Sequence, residues 1–160
     1  MHKTFFKLSA GLALLASAAA QAACPTVATA TRFEANGAEV KDKTTQLVWA
    51  RCSVGQTWSG STCTGSASAF THEQALQHAQ AQAGWRLPNV KELSSLADKG
   101  CIGPAIDGVA FPATPSSHFW SASPYAGGAS DAWFVYFNDG LVYYYGRDRN
   151  NHVRLVRASQ

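Results

Sequence analysis

The chain alternates along AWFVYFN and again along LVYYY, and a single Asp139-Gly140 step separates the two runs. An Asp-Gly pair favours the left-handed backbone angles of a tight turn, so it folds such runs back as an antiparallel hairpin. A chain carrying this hairpin must build a sheet. A two-residue turn pairs Asn138 with Leu141, Phe137 with Val142, Tyr136 with Tyr143, Val135 with Tyr144 and Phe134 with Tyr145. Strand residues point alternately to opposite faces, so the two faces can be sorted. Trp133, Val135, Phe137, Val142 and Tyr144 are expected to face the core. Phe134, Tyr136, Asn138, Leu141, Tyr143 and Tyr145 are expected to face outward as an aromatic patch, and such patches mark interaction sites.

The hairpin runs into a stretch written with few letters, Tyr143 to His152 (YYYGRDRNNH). Tyr, Gly, Arg, Asp, Asn and His supply flat contact area, adaptable polar groups and small hinges, the vocabulary of binding loops. Arg147, Arg149, Asn150 and Asn151 join the outward aromatics as candidate ligand contacts. Arg154 and Arg157, further on in HVRLVR, are expected to make internal pairs.

The beginning of the chain reads as an address. His2, Lys3 and Lys7 form a basic start, Leu8 to Ala19 an apolar run too short to span a bilayer, and Ala20-Gln21-Ala22 an A-x-A cleavage site. Residues 1–22 are therefore expected to be a signal peptide, 23–32 a linker and 33–160 one domain. Cys24 follows the cleavage site directly, so lipid attachment there is the alternative to release, although Gln21 stands where such sites carry Leu. Without residues 1–22 the charge falls from +3 to +1. So small a net charge gives no basic field for nucleic acid.

Four cysteines in an exported chain point to two disulfides, with three possible connectivities. Cys52 and Cys63 bracket SVGQTWSGST, a segment that cannot hold itself by apolar burial, and closing it is the natural use of one bridge. By elimination Cys24 pairs with Cys101. No C-x-x-C pair is present, which argues against zinc.

Between the cysteines the pattern changes. Asn36-Gly37 signals a hairpin, and Gln46 to Ala50 reads as a strand. Thr71 with Gln74, and Asn89 with Glu92, are two capping boxes. The first opens a helix with an Ala75, Leu76, Ala79, Ala83 stripe ending at Gly84. The second opens one with a Val90, Leu93, Leu96, Ala97 stripe ending at Gly100. His72 and His78 are expected to face solvent. Residues 102–117 read as an ordered loop. The last third is expected to supply strands at 118–123, 132–137, 141–145 and 153–157. The fold class is α+β, with two helices flanking a mostly antiparallel core.

Several elements in this order, TTQLVWARC, WRLPNVKELSSLAD, FPATPSSHFWSASPY, AWFVYFNDG and HVRLVR, resemble the Lcl C-terminal domain family, named for a bacterial collagen-like adhesin. The resemblance covers residues 31–157 and implies a C-type-lectin-like fold that recognises ligands at the cell surface or after secretion. It also implies sulfated glycosaminoglycans as a ligand class and trimers as an assembly, although this chain has no collagen-like repeat. An arginine fork at Arg147 and Arg149 would grip a sulfate. Asn138-Asp139 is similar to the Asn-Asp of calcium-binding lectins, but no Glu-Pro-Asn or Gln-Pro-Asp accompanies it. Turn chemistry is the expectation there, with no metal and no cofactor.

Proteins similar to this family are also targets of diversity-generating retroelements, which randomise adenines. Substituting the first two bases of AAC codons yields every residue from Tyr143 to His152, and also Phe134, Tyr136, Asn138 and Leu141. The partner expected is a glycan or protein on another cell or surface. Catalysis is not expected. Formylglycine-generating enzymes share a lectin-like fold and an R-L-P element, but they use a reactive cysteine pair near the C-terminus and no cysteine here follows Cys101. No G-x-S-x-G elbow marks a serine nucleophile. A remnant of that enzyme class, or a structural subunit of a surface assembly, is the alternative reading.

Overall fold

The structure, a computed structural model, describes residues 29–159. The expected signal peptide, most of the linker and Cys24, with its expected lipid or disulfide chemistry, lie outside the described residues. The linker ends in a helical turn, α1 (Thr29–Arg32). Arg32 Nη2 donates to Asp42 at 2.7 Å and to the Ser95 carbonyl at 2.8 Å, so the folded body begins before residue 33.

Strands β1 (Phe33–Asn36), β2 (Glu39–Asp42) and β3 (Leu47–Ala50) form an antiparallel meander. Asn36 pairs with Glu39 across Gly37-Ala38, and Gly37 has φ +57°, at the position where a tight hairpin takes glycine. The Cys52–Cys63 disulfide is formed, and its loop folds a small hairpin of β4 (Thr57–Trp58) and β5 (Cys63–Thr64). Cys101 is buried, and among the described residues no cysteine is free.

After β6 (Ala69–Phe70), both capping boxes form as expected, starting α2 (His72–Gln80) at Thr71 and α3 (Val90–Ser94) at Asn89. Both helices are shorter than their apolar stripes suggest. Ala75, Ala79, Leu93 and Leu96 are buried, whereas Ala83 is exposed. The second box is reinforced: Arg86 grips both Glu92 oxygens at 2.7 Å while Glu92 Oε2 accepts the Asn89 N–H at 2.8 Å. The WRLPN-x-x-E pattern is thus a helix start with its own clamp.

His72 departs from expectation. It is 3% exposed, its Nε2 lies 3.0 Å from the Ser121 carbonyl, and its ring meets Trp120 edge-on. It lies at the first turn of α2, which packs on the sheet. Burial pushes its pKa down and keeps it neutral. His78 is half-buried beside Phe70.

The last third supplies β7 (His118–Pro124), β8 (Asp131–Tyr136), β9 (Leu141–Gly146), β10 (Asn151–His152) and β11 (Val156–Ala158). The strand expected over 153–157 forms only from Val156, and residues 153–155 cross between two sheets instead. β10 belongs to a five-stranded sheet ordered β6-β10-β7-β8-β9, and β11 closes the first sheet as β1-β2-β3-β11. Pairing is antiparallel except between β10 and β7.

Val153, Arg154 and Leu155 carry the chain across, and all three are buried. Arg154 is 0% exposed and donates to the carbonyls of Ala50 and Arg51, to Ser53 and, at 2.7 Å, to Thr114. Internal pairing was expected for it, but its partners are neutral oxygens. Burial alone lowers its pKa to about 9, which leaves it charged at neutral pH. Arg157 does make an internal ion pair, with Glu39 at 2.7 Å.

The core has two parts, one on each face of the five-stranded sheet. Phe119, Val135 and Phe137 pack with Trp49, Leu93, Ile106, Phe111 and Val156 on one side. Trp120, Ala132 and Phe134 pack with Ala75, Ala79, Leu87 and Val153 on the other. The result is a small β-rich domain with two short capped helices and a disulfide-closed loop. Among the described residues no helix is long and apolar enough to cross a membrane.

Candidate functional site

The hairpin forms at Asp139-Gly140, but its register differs from the expected one by two residues. Tyr136 pairs with Leu141, Val135 with Val142, Phe134 with Tyr143, Trp133 with Tyr144 and Ala132 with Tyr145. The cause is competition for the backbone. The Phe137 N–H bonds the Ser117 carbonyl, the Phe137 carbonyl accepts from Ala105, and the Asn138 carbonyl accepts from Gly103. Those two residues are therefore lost to β9, and the turn widens. Gly140 has φ +74°, and an added Cβ would stand 3.1 Å from the Ala97 Cβ, so a side chain there would be strained. A shift of two preserves the faces.

Burial, however, does not follow the faces. It follows position across the sheet. β8 lies inside, so Phe134 at 3% is buried on the face expected to be outward. β9 is the edge strand, so Val142 at 39% and Tyr144 at 47% are exposed on the face expected to be core. Leu141 and Tyr143 are exposed as well, at 45% and 41%. Four consecutive apolar or aromatic residues on a sheet edge are uncommon, because natural proteins usually blunt such edges.

Asn138, Leu141, Tyr143, Arg149 and Asn150 are exposed. Tyr136, Tyr145 and Arg147 are half-buried. Phe134 and Asn151 are interior, which corrects their assignment to the surface. The Tyr145 hydroxyl donates to Asn151 Oδ1, and its ring meets Trp120, Phe134 and His118. Burial raises the Tyr145 pKa. This tyrosine supports the surface from beneath. Arg147 and Arg149, expected to fork around a sulfate, stand in different surroundings. Arg147 Nε donates to the Asp131 carbonyl at 3.0 Å, whereas Arg149 remains exposed beside the Tyr145 ring.

Asp139 acts as turn chemistry. Its Oδ1 accepts the Leu141 N–H at 3.0 Å, and its Oδ2 accepts the Tyr143 hydroxyl at 3.1 Å. The bond to Asp139 pushes the Tyr143 pKa up, so that phenol stays neutral. Asn138 accepts from Ser116. Among the described residues no group of three His, Cys, Asp or Glu gathers to hold a metal. His118 is enclosed by Phe134, Tyr136 and Tyr145, and burial lowers its pKa.

Sequence reasoning missed part of the surface. Tyr144 stacks on Tyr125 with centroids 3.7 Å apart and planes 7° from parallel, and Trp133 meets both edge-on. This three-ring platform is built from the β7–β8 connection, β8 and β9. Tyr125 carries no periodic signal, and alternation sorts Tyr144 and Trp133 to the core. Only the strand order reveals them.

Fold and surface together define a small disulfide-closed β domain that presents an aromatic sheet edge. The chain belongs to the Lcl C-terminal domain family, which matches residues 38–157. That membership suggests a surface adhesion-type domain. No curated protein and no solved structure matches the chain.

Proposed function

We propose that the protein is exported and serves as a recognition or adhesion domain of C-type-lectin-like architecture, binding a glycan or protein ligand on another cell or surface. The contact area is β9 with its neighbours: Leu141, Tyr143, Tyr144, Tyr125, Arg149 and Asn150. One observation carries this reading, the exposure of Leu141 through Tyr144 on an unblunted sheet edge. Tyrosines give large contact area at low entropic cost, and an open edge accepts a partner's backbone. The formed Cys52–Cys63 bridge fits an oxidising destination, in keeping with a signal peptide at residues 1–22. The domain works by binding, without turnover, metal or nucleic acid, and a trimer without a stalk is the assembly to look for.

The retroelement reading narrows under this geometry. Randomising Phe134 or Asn151 would disrupt the interior, so diversification would fall on Leu141, Tyr143, Tyr144, Asp148, Arg149 and Asn150. Reading the flanking DNA for a near-copy of these codons beside a reverse transcriptase tests it. A copy differing only at adenines in those codons supports diversification, and its absence leaves a fixed ligand. A glycan array probed with the wild type and with the Tyr143→Ala/Tyr144→Ala variant tests the binding surface. Signals that the variant loses support the proposal. Signals that it keeps would move the site elsewhere.

The open edge also suits the alternative of a structural subunit, since a strand edge pairs with protein backbone. Light scattering on the purified protein separates a monomeric binder from an edge-paired assembly.

A further inference from the structure

A cavity of about 480 Å³ lies between the disulfide loop, the end of α2 and the first sheet. It shares no lining residue with β9 or with the turn that follows it. Trp58, Trp85, Val54, Leu155, Gln82 and Glu39 line it. Its size is in the range of small-molecule sites, and its lining, mostly apolar with a few polar groups, is of the usual kind.

Both indoles are held in place. The Arg51 guanidinium lies 4.0 Å over the Trp58 ring and is fixed by three backbone carbonyls, those of Ala110, Gly37 and Val109. Trp58 also faces Cys63 across β4–β5, and Cys63 is tied to Cys52. Arg157 lies 5.3 Å over the Trp85 ring while donating to Glu39. The loop SVGQTWSGST has little apolar substance of its own, yet a disulfide and a two-stranded hairpin fix its one large side chain at the cavity. That construction gives the loop a purpose beyond stability.

The chemistry of the lining selects a ligand. Both nearby guanidiniums are already engaged and Glu39 adds a carboxylate, so a sulfated or otherwise anionic ligand would find no unengaged guanidinium, only the His78 imidazole, and would face a like charge. Two indoles offer faces for the C–H surface of a sugar ring. Val54 and Leu155 offer an apolar contact for a methyl group, and Gln82 and Glu39 offer partners for hydroxyl and amide N–H groups. We infer that this cavity is a second binding site, separate from the β9 surface, for a neutral N-acetylated saccharide.

The test is a titration of the oxidised, isotope-labelled protein with N,N′-diacetylchitobiose, followed through the tryptophan indole N–H resonances. The Trp58 and Trp85 signals should shift saturably, while those of the fully buried Trp49 and Trp120 stay in place. Trp58→Ala should weaken binding by about tenfold, the scale of one lost aromatic contact. Gln82→Ala, at an exposed position at the end of α2, should weaken it without disturbing the fold. A sulfated heparin disaccharide should leave the two signals unmoved. Absence of a saturable shift, binding retained in Trp58→Ala with an intact melting curve, or equal binding of the sulfated probe would each overturn the proposal.

Discussion

β8 and β9 are adjacent strands of one sheet, written in the same aromatic vocabulary, and they meet opposite ends. β8 has a neighbour strand on each side and core on both faces, so Phe134 and Val135 are buried although they point in opposite directions. β9 has a neighbour on one side only, and Leu141 through Tyr144 are exposed on both faces. The arginines repeat the contrast. Arg154 is fully buried where the chain crosses between sheets, whereas Arg149 is exposed just beyond β9. Place in the sheet, not residue type, separates the frame from the display surface.

Truncating Arg154 should have the largest effect. Arg154→Ala strands the Ala50 and Arg51 carbonyls and the Ser53 and Thr114 hydroxyls, and should cost about 3–5 kcal/mol in urea unfolding. Lysine should not rescue it, because a single ammonium cannot reach four acceptors. Arg149→Ala should stay within about 0.5 kcal/mol. Equal costs at the two arginines would break the distinction.

The cross-strand pair Phe134 and Tyr143 gives the sharpest internal control. Their side chains share a face and their rings lie 5.8 Å apart. Phe134→Ala should cost about 3–5 kcal/mol, as core aromatic truncations do. Tyr143→Ala should cost about 1 kcal/mol or less, since an exposed ring gives up one aromatic contact and a surface hydrogen bond. A large loss at Tyr143 would make it part of the frame.

Acid should loosen the frame by a smaller amount. The Arg86 fork lowers the Glu92 pKa against the opposing effect of burial, with help from the Asn89 N–H. Burial raises the Asp42 pKa, but Arg32 and the Thr44 and Thr45 contacts outweigh it, and the net shift is downward. Both folded pKa values therefore lie below the ordinary 4.5 and 3.8. Their stabilisation is complete above those ordinary values and disappears as pH falls through the lowered ones. Melting temperature measured against pH should drop along that limb, and Glu92→Gln should flatten the drop.

What sequence could reveal here is what local chemistry decides. Thr71 with Gln74 and Asn89 with Glu92 are caps readable within four residues, and both form. The Cys52–Cys63 bridge follows from a loop poor in apolar residues, and the face of each hairpin residue follows from alternation. The remainder depends on distant partners. Gly103 and Ala105, more than thirty residues upstream, take the backbone bonds of Asn138 and Phe137 and reset the register. Arg154 binds Ala50 and Arg51 about a hundred residues away, and the strand expected at 153–157 breaks there. Nothing near LVYYY says that it will lie at the edge of its sheet. Alternation thus locates the exposed aromatic edge in this hairpin but places Phe134 and Asn151 outside when they are buried, and it passes over the exposed Tyr144 and its stacking partners Trp133 and Tyr125.

The central claim is that β9 displays Tyr143 and Tyr144 for a ligand and does not use these two rings to hold the fold. The most direct measurement takes the Tyr143→Ala/Tyr144→Ala variant and records its melting curve beside its binding on the glycan array. The account predicts that the variant loses the wild-type signals and keeps its melting temperature within a few degrees. A collapsed melting transition, or binding retained in full, would contradict it.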